Sequence, residues 1–145
     1  MQKDHFKFIA AVHLFFIKEN KILLLRRFNT GYEDGNYSVP AGHIDGNETA
    51  TNAMVREAKE ETGISIDPQE LRMVHVMHRK SGHERIDFFF EVTSWEGEPK
   101  NNETDKCDDL SWFLTDRLPP NMVSYVHAGI KNYKNKILFS EFGWD

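Results

Sequence analysis

The chain has 145 residues, 39% of them hydrophobic and 28% charged, and its 18 Lys and Arg against 23 Asp and Glu leave a net charge of −5. That length and composition suit one soluble globular domain over residues 1–145 with its own core, and exclude a disordered chain. The acidic balance argues against a protein that coats nucleic acid. The one cysteine, Cys107, excludes an internal disulfide framework and a cysteine-based zinc site, and suits a reducing cytoplasm.

Phe8 to Ile17, FIAAVHLFFI, follows Lys3 and Lys7 much as the apolar part of a signal peptide would. It is too short for a membrane span, His13 interrupts it, and no small-residue cleavage site follows. Its β-branched and aromatic content predicts a strand over residues 6–17, with no membrane partner. A tight turn at Glu19-Asn20-Lys21 leads into a second strand over 22–25, completing a hairpin. Residues 26–36 are polar and hold Gly31 and Gly35, as a loop does. Tyr37 to Val39 is a short extended piece ended by Pro40. Residues 49–61 lack Gly and Pro and are rich in Ala, Glu, Met and Lys, which predicts the clearest helix, with Gly63 at its C-cap. Strands are predicted over 71–77 and 86–92, with a turn near Ser81-Gly82. A long acidic loop over 96–109 precedes a short strand over 110–114. Pro119-Pro120 precedes a second helix over 123–133. Strands with two separated helices indicate a mixed α/β or α+β domain.

The segment from Gly42 to Ile64, GHIDGNETATNAMVREAKEETGI, carries the chemistry. On an ideal helix Glu57, Glu60 and Glu61 share a sector of about 100°. Like charges at such spacings cost roughly 0.2–0.5 kcal/mol per pair, a penalty that a bound divalent cation reverses. A solvated acidic face is the alternative. Against it, Ala50 and Met54 project into or beside the same sector, where a solvated face would lie opposite the apolar stripe. Arg56 can pair with Glu60 one turn on and reach back to Glu48, holding the preceding loop against the helix. Spacing alone leaves the metal site and the solvated face both open.

The same segment resembles the signature of the Nudix hydrolase family, G-x5-E-x7-R-E-U-x-E-E-x-G-U, with U a bulky aliphatic residue. Gly42, Glu48, Arg56, Glu57, Glu60, Glu61, Gly63 and Ile64 fill their places, and Ala58 fills the first U with a smaller apolar residue than usual. RRFNTGYEDGNYSVPAGHIDGNE, which leads into the signature, WEGEP at 95–99 and SWFLTDRLPPN at 111–121 are also similar to MutT-like members. The resemblance implies a mixed β-sheet sandwiched between helices, with the signature forming a loop–helix–loop that binds metal. It also implies hydrolysis of a nucleoside diphosphate linked to a further group X, with Mg²⁺ as cofactor or Mn²⁺ in its place. Glu57 and Glu61 match the principal metal-ligand positions, Glu60 the neighbouring ligand or base position, and Arg56 and Glu48 the bracing positions. The carbonyl of Ala41 matches a backbone ligand, and Glu103, with Asp105 as its rival, matches a carboxylate supplied from a later loop.

The residue types suit that chemistry. Metal ions neutralise a pyrophosphate and lower the pKa of bound water, and a carboxylate takes the proton. No covalent intermediate is needed, so Cys107 has no assigned role. Arg26, Arg27, Tyr37 and Asn121 are candidate substrate-binding residues, with Tyr32 and His43 as weaker ones. For Asn121 the alternative is a helix N-cap. His75, His78 and His83 read as strand or turn residues, and Phe88 to Phe90 as sheet core. Small size favours a nucleoside triphosphate cut to a monophosphate and pyrophosphate. A nucleotide sugar, ADP-ribose or a dinucleoside polyphosphate is the alternative within the class, and a non-catalytic nucleotide-sensing module the alternative outside it. The expected partner is a small nucleotide, without stable nucleic-acid complexes, in a monomer or homodimer.

Overall fold

The computed structural model describes residues 4–145; Lys3, one flank of the apolar run, lies outside them. Eight strands and two helices follow in chain order: β1 (Ile9–Lys18), β2 (Lys21–Arg27), β3 (Tyr37–Ser38), β4 (Ala41–His43), α1 (Ala50–Thr62), β5 (Arg72–Ser81), β6 (His83–Val92), β7 (Cys107–Leu114), α2 (Ser124–Lys134) and β8 (Phe139–Phe142). A single 3₁₀ turn at Pro68–Glu70 precedes β5. One mixed sheet runs β3-β2-β1-β6-β5-β8, with β4 added to β1 and β7 to β2. The β1–β6 and β5–β8 pairs are parallel and the others antiparallel.

Alternation along the strands places the sheet between the helices. Val12, Leu14 and Phe16 of β1, with Phe90 and Val92 of β6, pack beneath Ala53, Met54 and Ala58 of α1. Phe15 and Phe89 face the other way, toward Val126 and Ile130 of α2. Both faces of the central strands are therefore buried, which is why β1 reads as a nearly continuous apolar run rather than an alternating one. Ala58 is fully buried in this contact. The expected mixed sheet between helices is the observed architecture.

Several boundaries differ from the sequence reading, each for a local reason. The first strand begins at Ile9 rather than Phe6, because Phe6 and Phe8 remain exposed with no partner strand. Glu19 and Asn20 form a two-residue turn with positive φ, matching the twist of a hairpin. Strands β5 and β6 extend to Ser81 and from His83 around Gly82, longer than their apolar cores, since cross-strand pairing continues through charged residues. Strand β7 starts at Cys107, shortening the acidic loop. Strands β4 and β8 were not expected: β4 is three residues paired on the edge of β1, and β8 is four exposed or half-buried residues on the edge of β5. Helix α1 is capped by Thr49, whose Oγ1 accepts from Asn52 N at 3.0 Å, and by Gly63 at φ +76°. Val123 occupies the N-cap of α2 without a side-chain bond. Asn121 instead donates from Nδ2 to the Gly35 carbonyl, so its reading as an N-cap is corrected.

Candidate active site

Helix α1 crosses β4, and that crossing builds the site. Gly42 of β4 lies directly under Glu57: a Cβ there would stand 2.1 Å from the Glu57 carboxyl carbon. The missing side chain is what lets the carboxylate settle on the strand. One residue earlier, Ala41 N donates to Glu61 Oε1 at 3.2 Å. Arg56 then ties loop, strand and helix together. Its Nη2 and Nε bond Glu48 at 2.8 and 3.2 Å, Nη1 bonds Glu57 Oε1 at 2.8 Å, and Nη2 reaches the His43 carbonyl at 3.1 Å. Glu48 also accepts from Asp45 N at 2.9 Å, closing the loop before the helix. Glu60 is 52% exposed and only 3.6 Å from Arg56 Nη1, a looser contact.

The acidic loop is fastened to the far end of the same helix. The last carbonyls of an α-helix lack intrahelical donors. Here those of Glu61 and Thr62 accept from Asn102 N at 3.1 Å and Lys100 N at 2.9 Å. Asn101 clamps the loop, donating to the Cys107 carbonyl at 2.7 Å and accepting from Glu103 N at 3.0 Å. Glu103 thereby comes to face Glu57, Glu60 and Glu61 across one cavity of about 430 Å³, with Arg27, Ala41 and Lys106 also on its wall. Asp105 is exposed outside it. A larger hollow of about 670 Å³ lies by Met73, Tyr133 and Leu138, but carries no carboxylate. Chemistry rather than size locates the site.

The electrostatics follow from this crowding. The Arg56 hydrogen bond, with help from Asp45 N, holds the Glu48 carboxyl below its ordinary range. Removal from water raises Glu61 well above its ordinary value; the hydrogen bond and charge of Glu57 add to this, and the Ala41 N–H only partly offsets it. Desolvation likewise raises Glu103, Lys106 opposes the rise, and Glu57, Asp105 and Glu60 reinforce it. Among the described residues no three Asp, Glu, His or Cys side chains converge into a closed ligand set. Glu57 and Glu61 are the close pair, with Glu60 and Glu103 facing the same space. All-oxygen donors around a hollow that can hold water fit a hard, partly hydrated cation such as Mg²⁺. Such a cation would offset both the burial and the Glu57 charge that raise Glu61.

The other candidates are dispersed. Arg27 lines the acidic cavity and a neighbouring one; a register shift against β7 at this residue, where β7 passes over Asp108, re-aims the strand end. Arg26 pairs with Asp108 at 2.7 Å. Tyr37 is buried, its ring against Phe113 and its hydroxyl on Asp109, and its amide binds the Asn121 carbonyl. Arg26, Tyr37 and Asn121 are not among the residues that line either cavity. His43 is exposed on the walls of both cavities, and Tyr32 lines the second. Cys107 is buried with Sγ on the Asp109 carbonyl at 3.2 Å, and burial pushes its thiol up. His75 lies inside β5, bonded to the Ile137 carbonyl and to Ser140. Sequence reasoning passed over Asn101 and Lys106, and also Arg79, Arg85 and Tyr125 of the second cavity. The two arginines lie in the charged ends of β5 and β6 beside Gly82, where nothing in the sequence sets them apart from other hairpin charges.

A mixed sheet between helices thus carries an arginine-braced glutamate cluster over a cleft. The NUDIX domain model matches residues 7–132, and the chain belongs to the Nudix family. It is 30% identical to the 8-oxo-dGTP diphosphatase of Escherichia coli over 117 residues, covering 79% of this chain and 89% of that protein. It is 47% identical to the ADP-ribose pyrophosphatase of Methanocaldococcus jannaschii over 47 residues, 32% of this chain and 27% of that one. The match to a nudix hydrolase of Caenorhabditis elegans likewise spans only 23% of the relative's length. In fold it resembles the MutT NUDIX hydrolase of Burkholderia pseudomallei, with a TM-score of 0.79, 23% identity, and 86% and 97% of the two chains covered. The MutT protein of Methanosarcina mazei gives 0.76 at 18% identity, with 89% and 94% covered. Nudix hydrolases generally use divalent metal cations. No helix among the described residues is long and apolar enough to cross a membrane.

Proposed function

We propose that this chain, acting as one domain, is a Mg²⁺-dependent hydrolase of the pyrophosphate linkage in nucleoside diphosphates joined to a further group. The proposed substrate is a nucleoside triphosphate, released as the monophosphate and pyrophosphate. The observation that carries this reading is the Glu57–Glu61 pair, Glu57 braced by Arg56 over Gly42 and Glu61 bonded to Ala41 N, opening onto a cavity that Glu103 faces. The resemblance to the 8-oxo-dGTP diphosphatase over most of both chains supports the choice of a triphosphate.

Glu57 and Glu61 would hold the cation, with Glu60 and the Ala41 carbonyl completing its protein ligands. When bound, the ion supplies charge neutralisation and an acidified water. Arg56, bonded to Glu48 on one side and Glu57 on the other, positions the ligand carboxylates. Desolvation keeps Glu103 a stronger base than an ordinary carboxylate, which suits it to take the proton of the attacking water. Glu60 is the alternative base, less desolvated and closer to Arg56. Arg27 and Lys106 would meet phosphate oxygens at the mouth.

The test is a panel of nucleoside triphosphates, nucleotide sugars, ADP-ribose and dinucleoside polyphosphates, assayed for pyrophosphate and phosphate separately. Activity should vanish with EDTA and return with Mg²⁺. Glu57→Gln and Glu61→Gln should each lower kcat by on the order of 10²-fold or more. Glu103→Gln should lower kcat with little change in melting temperature. Wild-type turnover in both ligand variants, or activity that survives exhaustive chelation, would refute the assignment.

A further inference from the structure

A second cavity of about 400 Å³ adjoins the acidic one and shares Arg27, Ala41 and His43 with it. Its charge has the opposite sign. Arg27, Arg79 and Arg85 line it, and no Asp or Glu does, in a chain whose net charge is −5. Arg79 and Arg85 are direct cross-strand partners on β5 and β6. Like charges at that spacing destabilise a sheet unless something neutralises them. Asp87, fully buried, neutralises only one: its carboxylate accepts from Arg79 Nε at 2.7 Å and Nη2 at 3.3 Å. Arg85 has no carboxylate partner among the described residues, and its Nε is buried without any hydrogen-bond acceptor. A buried donor left unmet is rare and costly, and a bound anion or water from outside the chain would satisfy it.

The aromatic rings of this cavity are already occupied. Arg79 stacks on Tyr125 with its Cζ 3.6 Å from the ring centroid, and Arg27 lies over Tyr32 at 5.2 Å. These rings therefore seat guanidinium groups instead of standing open to a base. A stacked guanidinium keeps its in-plane N–H groups for oxyanions; Asp87 takes Arg79 Nε and one bond from Nη2, which leaves Nη1 of Arg79 and the guanidinium of Arg85 for an anion in the cavity.

We propose that the second cavity is an anion subsite, in which Arg85 and Arg79 bind a phosphoryl group of the substrate beyond the linkage that is cut. This rests on the pyrophosphohydrolase reading and narrows its substrate class. Nucleotides with a further phosphate, such as the terminal one of a triphosphate, are selected over nucleoside diphosphates joined to a neutral sugar.

Arg79 is unsuitable for the test, since its loss would strand Asp87 in the core. Arg85→Gln and Arg85→Lys are the informative variants, with circular dichroism melts to confirm folding. In EDTA, calorimetry with inorganic tripolyphosphate should show binding to the wild type that weakens about tenfold or more in Arg85→Gln and partly recovers in Arg85→Lys. With Mg²⁺, kcat/KM is measured for ATP and for ADP-glucose. The ratio of the two should favour ATP in the wild type and fall about tenfold in Arg85→Gln, chiefly through the KM for ATP. Tripolyphosphate binding that Arg85→Gln leaves intact would overturn the subsite, and a ratio indifferent to Arg85 would overturn its use by substrate. If the wild type turned over neither nucleotide, ATP would be excluded as a substrate, while the binding measurement would still decide the subsite.

Discussion

Gly42 does its work through an absent atom. Its backbone would accept a side chain as strand residues do, but a Cβ would fall 2.1 to 2.5 Å from the Glu57 carboxyl atoms. Those atoms end a flexible side chain, so the carboxylate can swing away while the backbone stays in place. Moving it breaks the 2.8 Å bond to Arg56 and separates Glu57 from Glu61. Gly42→Ala should therefore separate activity from stability. The melting temperature should stay within a few degrees of the wild type, because the lost Arg56 bond is offset by relief of the crowding between Glu57 and Glu61. Turnover should fall by on the order of 10²-fold, since misplacing a catalytic group by about 1 Å has that effect. A paired measurement of kcat and thermal unfolding checks it: full activity in Gly42→Ala would mean that Glu57 works from another position.

At the level of elements, α2 shows how closely a helix is pressed on the sheet. Glycine within a helix ordinarily costs about 0.5–1 kcal/mol relative to alanine. Yet a Cβ at Gly129 would lie 2.7 and 2.9 Å from the ring of Phe89, which is fully buried between Phe15 and His13. That ring cannot retreat, and overpacking of this kind costs about 1–3 kcal/mol. Gly129→Ala should thus destabilise, against its helix propensity, and an unfolding curve in urea should show a lower midpoint with an unchanged slope. A higher midpoint would show that α2 has slack. The same contrast explains what could be read without coordinates. Helix α1 and the strands it covers were legible, because their apolar spacing, Gly63 and the spacing of Glu48, Arg56, Glu57, Glu60 and Glu61 are local properties. Strands β4 and β8 were not, since three or four residues carry no period and exist only through their neighbours. Nor could the sequence show that Lys100 and Asn102 cap the end of α1 and so carry Glu103 over the cleft. Nor could it show that Tyr37, in its short extended piece, and the distant Asn121 bind each other through their backbones at the start of β3.

Across the whole molecule, charge is divided between two adjoining hollows, acidic beside α1 and cationic between β5, β6 and α2. The division depends on Asp87 at the centre of the sheet, fully buried and shared by His13 Nε2 at 3.0 Å and Arg79. Burial alone would push the Asp87 carboxyl up, but the hydrogen bonds from His13 and Arg79 outweigh it and hold the group below its ordinary range. A carboxyl depressed in the folded state stabilises the fold above the unfolded value of about 3.9, and that contribution is lost as the pH falls through the folded value. Asp87→Asn removes the charge at every pH and leaves Arg79 unpaired beside Arg85. Breaking such a buried pair costs about 3–5 kcal/mol, which for a chain of this size lowers the melting temperature by on the order of 10 °C at pH 7. The gap between wild type and variant should then begin to narrow as the pH is lowered below about 4, because there the unfolded chain takes up a proton that the folded Asp87 carboxylate still resists. Melting both proteins from pH 7 down to pH 3 checks the sign as well as the size. A gap that stays constant over that range would show that the Asp87 charge does not hold the cationic hollow together.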